Sequence, residues 1–194
     1  MPTAPRKDSH TMRAWLSVDS PVGPLTLVAS VEGLSHVYFR TEEPDLSEAT
    51  KATRVTNVEL AHDDQNEDTA LTVLSDASRQ LAEYFAGSRK SFELLLDVPT
   101  PPLTFRSRAQ HVLQRIPYGG RWTYAQLAQA AGSAGAVRAA GSACATNPLP
   151  IVVPCHRVVR ADGHIGAYRG GPDIKRFLLE LEERFIREHT GGNP

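Results

Sequence analysis

The sequence predicts an α+β protein in two parts, a small antiparallel β-sheet with one helix followed by a helical region. Three observations support this prediction: apolar and polar residues alternate between positions 15 and 39, apolar residues recur at helical spacing after position 69, and three prolines interrupt the chain between 99 and 102. The 194 residues suffice for one large or two small domains. We expect a disordered tail at 1–11, a scaffold domain at 12–98, a linker at 99–104 and a helical domain at 105–190.

The first part should contain three strands and a helix. Alternating runs at 15–19, 25–28 and 34–39 are separated by turn residues at 21–24 and 32–33. The stretch 41–68 is acidic and weakly periodic, which predicts that part of it is a variable loop. Helical spacing of leucines predicts a helix at 69–86 that stops at Gly87, and 92–96 is a candidate strand that closes the sheet.

The second part should be mostly helical. An apolar face predicts a helix from 105 to 116, and Thr123 is a suitable N-cap for a helix at 124–131. A glycine-containing turn and a helix of small residues at 134–145 follow, which is the layout of a helix-turn-helix. An apolar stripe from 174 to 185 predicts the last helix.

The charge of the chain is divided between its halves. Residues 1–102 hold 9 Lys and Arg against 16 Asp and Glu, whereas residues 103–194 hold 12 against 6. A basic half favours a polyanionic partner such as nucleic acid, and the alternative is a pair of domains joined by ion pairs.

The sequence contains no apolar run long enough for a membrane span, and its two cysteines are too few for a disulfide scaffold. We therefore expect a cytoplasmic protein with a free thiol, associated with the nucleoid if bacterial.

A candidate nucleophile follows a run of β-branched residues. Positions 151–153 predict a short buried strand, and Pro154 should end regular structure just before Cys155. His156 and Arg157 follow the thiol, and neighbouring cations favour the reactive thiolate. The alternative is a buried structural cysteine beside two polar residues.

The residues around Cys155 resemble the active-site signature of the O6-alkylguanine–DNA alkyltransferases. The sequence Pro-Cys-His-Arg-Val at 154–158 is preceded by Asn147-Pro148 and followed by Gly-Ala-Tyr-Arg-Gly-Gly at 166–171. The resemblance covers about 105–182 and, more weakly, 20–97. It implies a ribonuclease H-like first domain and a repair protein that flips O6-alkylguanine out of duplex DNA. The alkyl group would pass irreversibly to Cys155, in a single-turnover reaction without a cofactor or metal.

The resemblance also implies roles for individual catalytic residues. His156 would take the thiol proton through a bound water, and Glu182 would stand behind His156, although Glu180 and Glu183 lie close in sequence. Asn147 would tie the helix-turn-helix to the active-site turn, and Tyr124 would help to rotate the nucleotide.

The DNA-binding and pocket residues follow from the same resemblance. Arg138 would take the place of the extruded base from the minor groove, on a helix whose small residues allow close approach to duplex DNA. The expected contacts to DNA are Arg138, Tyr124, Ala139, Gly141, Ser142 and Cys144. The expected pocket residues are Pro150, Val158, Tyr168, Arg169 and Gly170. Solution behaviour should be monomeric, with possible cooperativity on DNA.

Three departures from the family pattern bear on these expectations. Ala109-Gln110 could change the packing of the first helix of the second part, and Cys144 replaces a larger apolar residue. Arg169 is large for its loop, so it could narrow the pocket or reach a phosphate. Three alternatives remain open: a non-catalytic protein that binds alkylated DNA, a helix-turn-helix regulator, and a cysteine hydrolase.

Overall fold

The computed structural model describes residues 13–42, 46, 49–51, 65–98, 101 and 103–190. The predicted tail, most of the predicted loop at 41–68 and linker prolines 99 and 102 lie outside these residues. Within the described chain, no helix is long and apolar enough to cross a membrane.

The first part of the chain is a sheet covered by one helix. Strands β1 (Arg13–Val18), β2 (Leu25–Ser30) and β3 (Gly33–Phe39) form the predicted antiparallel meander. A fourth strand, β4 (Ala49–Lys51), pairs parallel to β1, so the sheet has the order β3-β2-β1-β4. Strand β4 was not predicted, since pairing with a distant edge leaves little local signal in a three-residue segment.

Helix α1 (Gln65–Phe85) packs on this sheet and begins four residues earlier than predicted. It ends as expected at Gly87, whose φ of 77° is the left-handed conformation that glycine adopts without strain. The predicted strand at 92–96 was wrong, because this extended segment makes only a single parallel bridge, Leu34 to Leu96. Its backbone lies so close to Gly33 that a Cβ atom there would approach the Leu95 backbone to 2.5 Å.

The second part contains the four predicted helices: α2 (Phe105–Leu113), α3 (Tyr124–Ala130), α4 (Val137–Ala145) and α5 (Pro172–Thr190). Thr123 caps α3 as predicted, with its hydroxyl accepting from the Gln126 N–H. Helices α3 and α4 pack together as a helix-turn-helix. Helix α2 ends before Ile116, although Ile116 is buried as its place in the apolar pattern predicted.

Two short strands in the second part were not predicted. Strands β5 (Trp122–Thr123) and β6 (Val158–Val159) pair in parallel and join the start of the helix-turn-helix to the segment after Cys155. Two residues are too few for a periodic signal.

The predicted strand at 151–153 is a turn, followed by a 3₁₀ helix at Cys155–Arg157. Ile151 has a φ of 74°, which a β-branched residue adopts only when the surrounding structure imposes it. The β-branched residues are buried as predicted, but their backbone reverses direction. Packing of Ile151, Val152 and Val153 in the core therefore outweighs their preference for extended backbone.

Candidate active site

Cys155 begins the 3₁₀ helix and is almost fully buried, with 2% of its surface exposed. The Asn147 side chain donates one amide hydrogen bond to Cys155 Sγ at 3.1 Å and another to the Val153 carbonyl at 2.8 Å. Asn147 Oδ1 accepts from the Leu149 N–H. Asn147 thus spans the turn after α4 and contacts the sulfur directly, which is the placement expected for a residue that ties this turn to Cys155.

The resting state of Cys155 differs from the expectation of a stabilised thiolate. Burial raises its pKa above the usual value, and the hydrogen bond from Asn147 and the charge of Lys175 only partly oppose this effect. Arg157 does not offset the burial of the sulfur, because its guanidinium is engaged by Glu182. At neutral pH the group is a thiol, and an adjacent base has to take its proton when the reaction occurs.

His156 is the base available beside Cys155. Its Nε2 lies 2.9 Å from Glu182 Oε1, and neither side chain is exposed. Its Nδ1 is buried and has no hydrogen-bond partner among the described residues. Burial lowers the pKa of His156 despite the opposing effect of Glu182, so the ring is neutral in the resting protein and can accept a proton.

Four residues donate to Glu182 or share a proton with it. Besides His156, the Arg157 guanidinium donates to both carboxylate oxygens at 2.9–3.2 Å. The Tyr84 hydroxyl donates to Oε1 and the Gly119 N–H to Oε2, each at 2.8 Å. Burial alone would raise the pKa of Glu182, but the bonds from His156 and Arg157 outweigh it and hold the pKa at about 2. Glu182 is therefore ionised, whereas Glu180 and Glu183 are exposed.

Arg157 is a structural cation in this arrangement. Its Nη1 donates to the Ile116 carbonyl at 2.6 Å while its remaining donors bind Glu182, and its guanidinium carbon lies 5.6 Å from the Tyr118 ring centroid. The negative charge that supports His156 is thereby partly balanced. The counter-charge of Arg157 stabilises the ionised form of Glu182, and no second buried anion is needed for this balance.

Lys175 is a buried cation that the sequence analysis did not select. Its Nζ donates to the Val158 carbonyl at 2.6 Å and lies 5.9 Å from the Tyr124 ring centroid. Burial lowers its pKa, and a negative charge on the sulfur of Cys155 or Cys144 would act in the opposite direction. Lys175 therefore holds β6 against α5 on the side that faces the two sulfurs.

The expected pocket residues are all buried or partly buried. Pro150 and Val158 are buried, and the Tyr168 ring meets His156 edge-on with 6.3 Å between ring centroids. We call residues 166–171 the pocket loop. It passes Tyr124 so closely that a Cβ atom on Gly166 would lie 3.0 Å from the Tyr124 hydroxyl. The structure thus brings Tyr124, which begins α3, together with the loop predicted to cover the base.

Arg169 does not extend toward solvent to meet a phosphate, as one expectation had it. Its Nε forms an ion pair with Glu42, and its Nη1 donates to the Asn147 carbonyl at 2.9 Å. The side chain is directed across the junction between the two parts of the chain, because an acidic partner lies there. The side chain of Arg169 thus crosses the junction, while the backbone of Arg169 remains part of the pocket loop beside Gly170.

The residues of helix α4 that are expected to contact DNA differ in their exposure to solvent. Arg138, Ala139 and Ser142 are exposed, Gly141 is partly exposed, and Cys144 is buried. The Arg138 guanidinium makes no hydrogen bond or ion pair with any described residue, so it is available to a ligand. Cys144 instead packs inside the domain, where burial raises its pKa well above the usual value.

Gln110, one of the departures from the family pattern, has a defined partner. Its side-chain amide donates to the carbonyls of Ala143 and Thr146, at the C-terminal end of α4. Ala109 beside it is fully buried. The altered pair therefore fastens α2 to the carboxyl end of α4, where free carbonyl groups need donors.

Two residues that bond Glu182 could not be identified from the sequence: Tyr84, which lies on the apolar side of α1, and Gly119, which contributes through its backbone. The pattern of the last helix predicts Lys175 on its polar face, and this was wrong, because Lys175 is fully buried and donates to backbone carbonyls. Among the described residues, no cluster of His, Cys, Asp or Glu could hold a metal ion.

Comparison with known proteins places both parts of the chain in one family. Residues 14–98 match the ribonuclease-like domain and residues 104–184 the DNA binding domain of 6-O-methylguanine DNA methyltransferase. The methylated-DNA–protein-cysteine methyltransferase of Methanosarcina acetivorans is 39% identical, over 84% of this chain and 94% of the relative. The constitutive Bacillus subtilis protein of that name is 40% identical, over 78% of this chain and 98% of the relative.

A solved structure supports the same relationship. Mycobacterium tuberculosis OGT in complex with DNA superimposes with a TM-score of 0.74 at 35% identity, covering 89% of this chain and 94% of that chain. The fold, the two matched domains and the sequence identity agree. This chain belongs to the 6-O-methylguanine DNA methyltransferase family.

Proposed function

We propose that this protein repairs O6-alkylguanine in double-stranded DNA by transferring the alkyl group to Cys155 Sγ. The observation that carries the proposal is the chain of contacts around the sulfur. Asn147 donates to Sγ, and the neighbouring His156 is neutral and backed by the ionised Glu182. A neutral buried histidine with a carboxylate behind it is suited to accept a proton from a nucleophile.

The reaction begins with removal of the thiol proton. It passes through a bridging water to His156 Nδ1, the ring nitrogen that has no hydrogen-bond partner in the described part of the chain. Glu182 then stabilises the imidazolium ion through Nε2. Because Arg157, Tyr84 and Gly119 fix the carboxylate, the ring changes charge with little rearrangement.

The thiolate attacks the alkyl carbon as its bond to guanine O6 breaks. The bonding electron pair moves onto O6 and into the purine ring, and the ring takes up one proton from the His156 imidazolium through water, so that His156 returns to its neutral form. We expect the Tyr124 hydroxyl to donate a hydrogen bond to the base and the Arg169 N–H on the pocket loop to face O6. The products are guanine in DNA and an S-alkylcysteine.

The transfer should occur once per protein molecule. A thioether is a poor leaving group, and the described residues offer no second nucleophile arranged to attack it. Consumption of the protein is therefore stoichiometric.

DNA should be bound through α4 from the minor groove, with the damaged nucleotide flipped out of the stack. Support comes from the exposed Arg138, which pairs with none of the residues that the structure describes, and from the small residues Ala139 and Gly141 near it, which permit close approach. Arg138 would fill the space left by the extruded base. We propose a monomer located in the cytoplasm, where a free thiol persists.

The first part of the chain should act as a scaffold for the site. The Tyr84 hydroxyl on α1 reaches Glu182, and the Val37 N–H donates to the Pro148 carbonyl at 2.8 Å. These contacts support one domain at about 12–98 that braces a second at about 105–190.

The test is to incubate the protein with duplex DNA that contains one O6-methylguanine and to measure its intact mass. We expect a gain of one methyl group per protein, located on Cys155 by peptide mapping, with none in Cys155→Ser. Unchanged mass with tight, damage-dependent binding would instead identify a non-catalytic sensor. Hydrolysis of a chromogenic ester with turnover would identify a cysteine hydrolase.

A further inference from the structure

Arg169 joins three parts of the molecule at the edge of the pocket. It belongs to the pocket loop, its Nε pairs with Glu42 of the first domain, and its Nη1 donates to the Asn147 carbonyl at 2.9 Å. Its guanidinium carbon also lies 5.3 Å from the Tyr38 ring centroid. Both partners of the ion pair are largely buried, with 22% and 18% of their side chains exposed. A pair so enclosed is screened less by solvent than a surface pair.

The carboxylate of Glu42 is held in place on its own side. Glu42 Oε2 accepts from the Phe39 N–H at 2.8 Å, and the Glu42 N–H donates to the Phe39 carbonyl at 2.9 Å. Glu42 is thus part of a compact turn at the end of β3, and it offers Arg169 a fixed partner.

The same turn touches the pocket loop directly. The rings of Phe39 and Tyr168 meet at a large angle, 5.7 Å between centroids, and a Cβ atom on Gly170 would lie 3.0 Å from the Phe39 ring. The loop is therefore packed on the end of β3 on both sides of Arg169. Displacement of the Arg169 side chain would loosen Tyr168 and Gly170, the loop residues expected to line the alkyl pocket.

We propose that the Glu42–Arg169 ion pair positions the pocket loop, so that the first domain helps to determine the transfer rate and the size of alkyl group accepted. Glu42 and the side chain of Arg169 have a positioning role, since they act through Tyr168, Gly170 and Asn147, whereas the Arg169 backbone N–H is the group expected to face the substrate. The inference rests on the proposed transfer to Cys155. Its consequence is that residues remote in sequence select the substrate.

The test compares Glu42→Gln and Arg169→Gln, which change the net charge in opposite directions. Single-turnover rates at saturating DNA are measured with O6-methylguanine duplex, and a second series uses free O6-benzylguanine. We expect both variants to slow methyl transfer by about tenfold, since misplacement of a wall residue disturbs the reacting geometry. The double variant should be no slower than either single variant, because both changes break the same pair.

Substrate selectivity distinguishes a loss of pocket-loop positioning from a general destabilisation of the protein. A loosened loop should reduce benzyl transfer less than methyl transfer, so the benzyl-to-methyl rate ratio should rise in both variants. Arg169→Lys should be intermediate, because one ammonium group cannot serve Glu42 and Asn147 with the same geometry. Asp76→Asn is the matched control: it breaks an exposed ion pair with Arg79 on α1 and should leave both rates unchanged.

Several outcomes would overturn the inference. Wild-type rates in both variants would do so, as would an equal loss with both substrates that parallels a fall in melting temperature. Opposite changes in DNA affinity with unchanged rates at saturation would show an effect of net charge alone. If the wild-type protein itself transfers neither alkyl group, the proposed function fails instead.

Discussion

Replacement of Glu182 by glutamine removes the charge at the centre of the buried network while keeping its shape. The Arg157 guanidinium donates three hydrogen bonds to this carboxylate and is itself buried. Loss of the partner would leave a buried cation without a counter-charge, which typically costs about 3–5 kcal/mol. The depressed pKa of Glu182 gives a second value for this loss of stability: a change in pKa from 4.5 to about 2 corresponds to about 3 kcal/mol.

The sign of the pH dependence follows from these shifts. Because the folded pKa of Glu182 is depressed, its contribution to stability is fully present above about pH 4.5 and is lost as the pH falls toward 2. The lowered pKa of His156 adds a further loss of stability below about pH 6.5. In that range His156 binds a proton in the unfolded chain but stays neutral in the folded protein, so protonation favours unfolding. The stability difference between wild type and Glu182→Gln should therefore shrink in acid.

Urea denaturation at pH 7.5 and single-turnover kinetics would measure both effects. We expect Glu182→Gln to lower the free energy of unfolding by about 3 kcal/mol and the transfer rate by about a hundredfold. Glu183→Gln is the matched control, since the adjacent carboxylate is exposed and pairs only with Arg121 and Arg187 among described residues. It should change stability by less than about 1 kcal/mol. Equal stability and rate in Glu182→Gln and wild type would refute the reasoning.

Three further predictions concern the two thiols, the turn after α4 and helix α4 itself. Cys155 and Cys144 are both buried with raised pKa values, so a chromogenic disulfide should titrate neither rapidly in the native protein and both after denaturation. Asn147→Ala removes the donor to Sγ, so the transfer rate should fall by about tenfold or more at unchanged DNA affinity; a normal rate would exclude a role for this bond. Arg138→Ala should weaken DNA binding with unchanged melting temperature, and equal affinity would argue against contact with DNA.

Local signals explain which parts of the fold could be predicted from the sequence. The cap at Thr123, the stop at Gly87 and the apolar stripe of α5 each depend on a few neighbouring residues, and the structure confirms them. Strands β4, β5 and β6 have only two or three residues and depend on distant partners. Ile151 shows the opposite case, in which a strong local preference for extended backbone yields to the packing of a turn.

The residues of the candidate site likewise fall into two groups, those that nearby sequence identifies and those that depend on distant partners. Cys155, His156, Asn147 and the pocket loop lie within 25 residues of one another, and the resemblance identified them together. Tyr84 lies 98 residues from Glu182, and Gly119 lies 63 residues away. A tyrosine on an apolar helix face and a backbone N–H carry no chemical signal in a sequence. The orientation of Arg169 could not be predicted either, because it depends on Glu42 across the junction of the domains.

The contact between Tyr84 and Glu182 also has a consequence for the order of events during protein synthesis. Cys155 leaves the ribosome before Glu182, while α1 with Tyr84 is made much earlier. Until α5 docks, His156 has no carboxylate behind it and Arg157 has no counter-charge. We therefore expect a nascent or truncated chain to carry an unreactive acceptor. The proposed single transfer to Cys155 can therefore take place only after folding is complete.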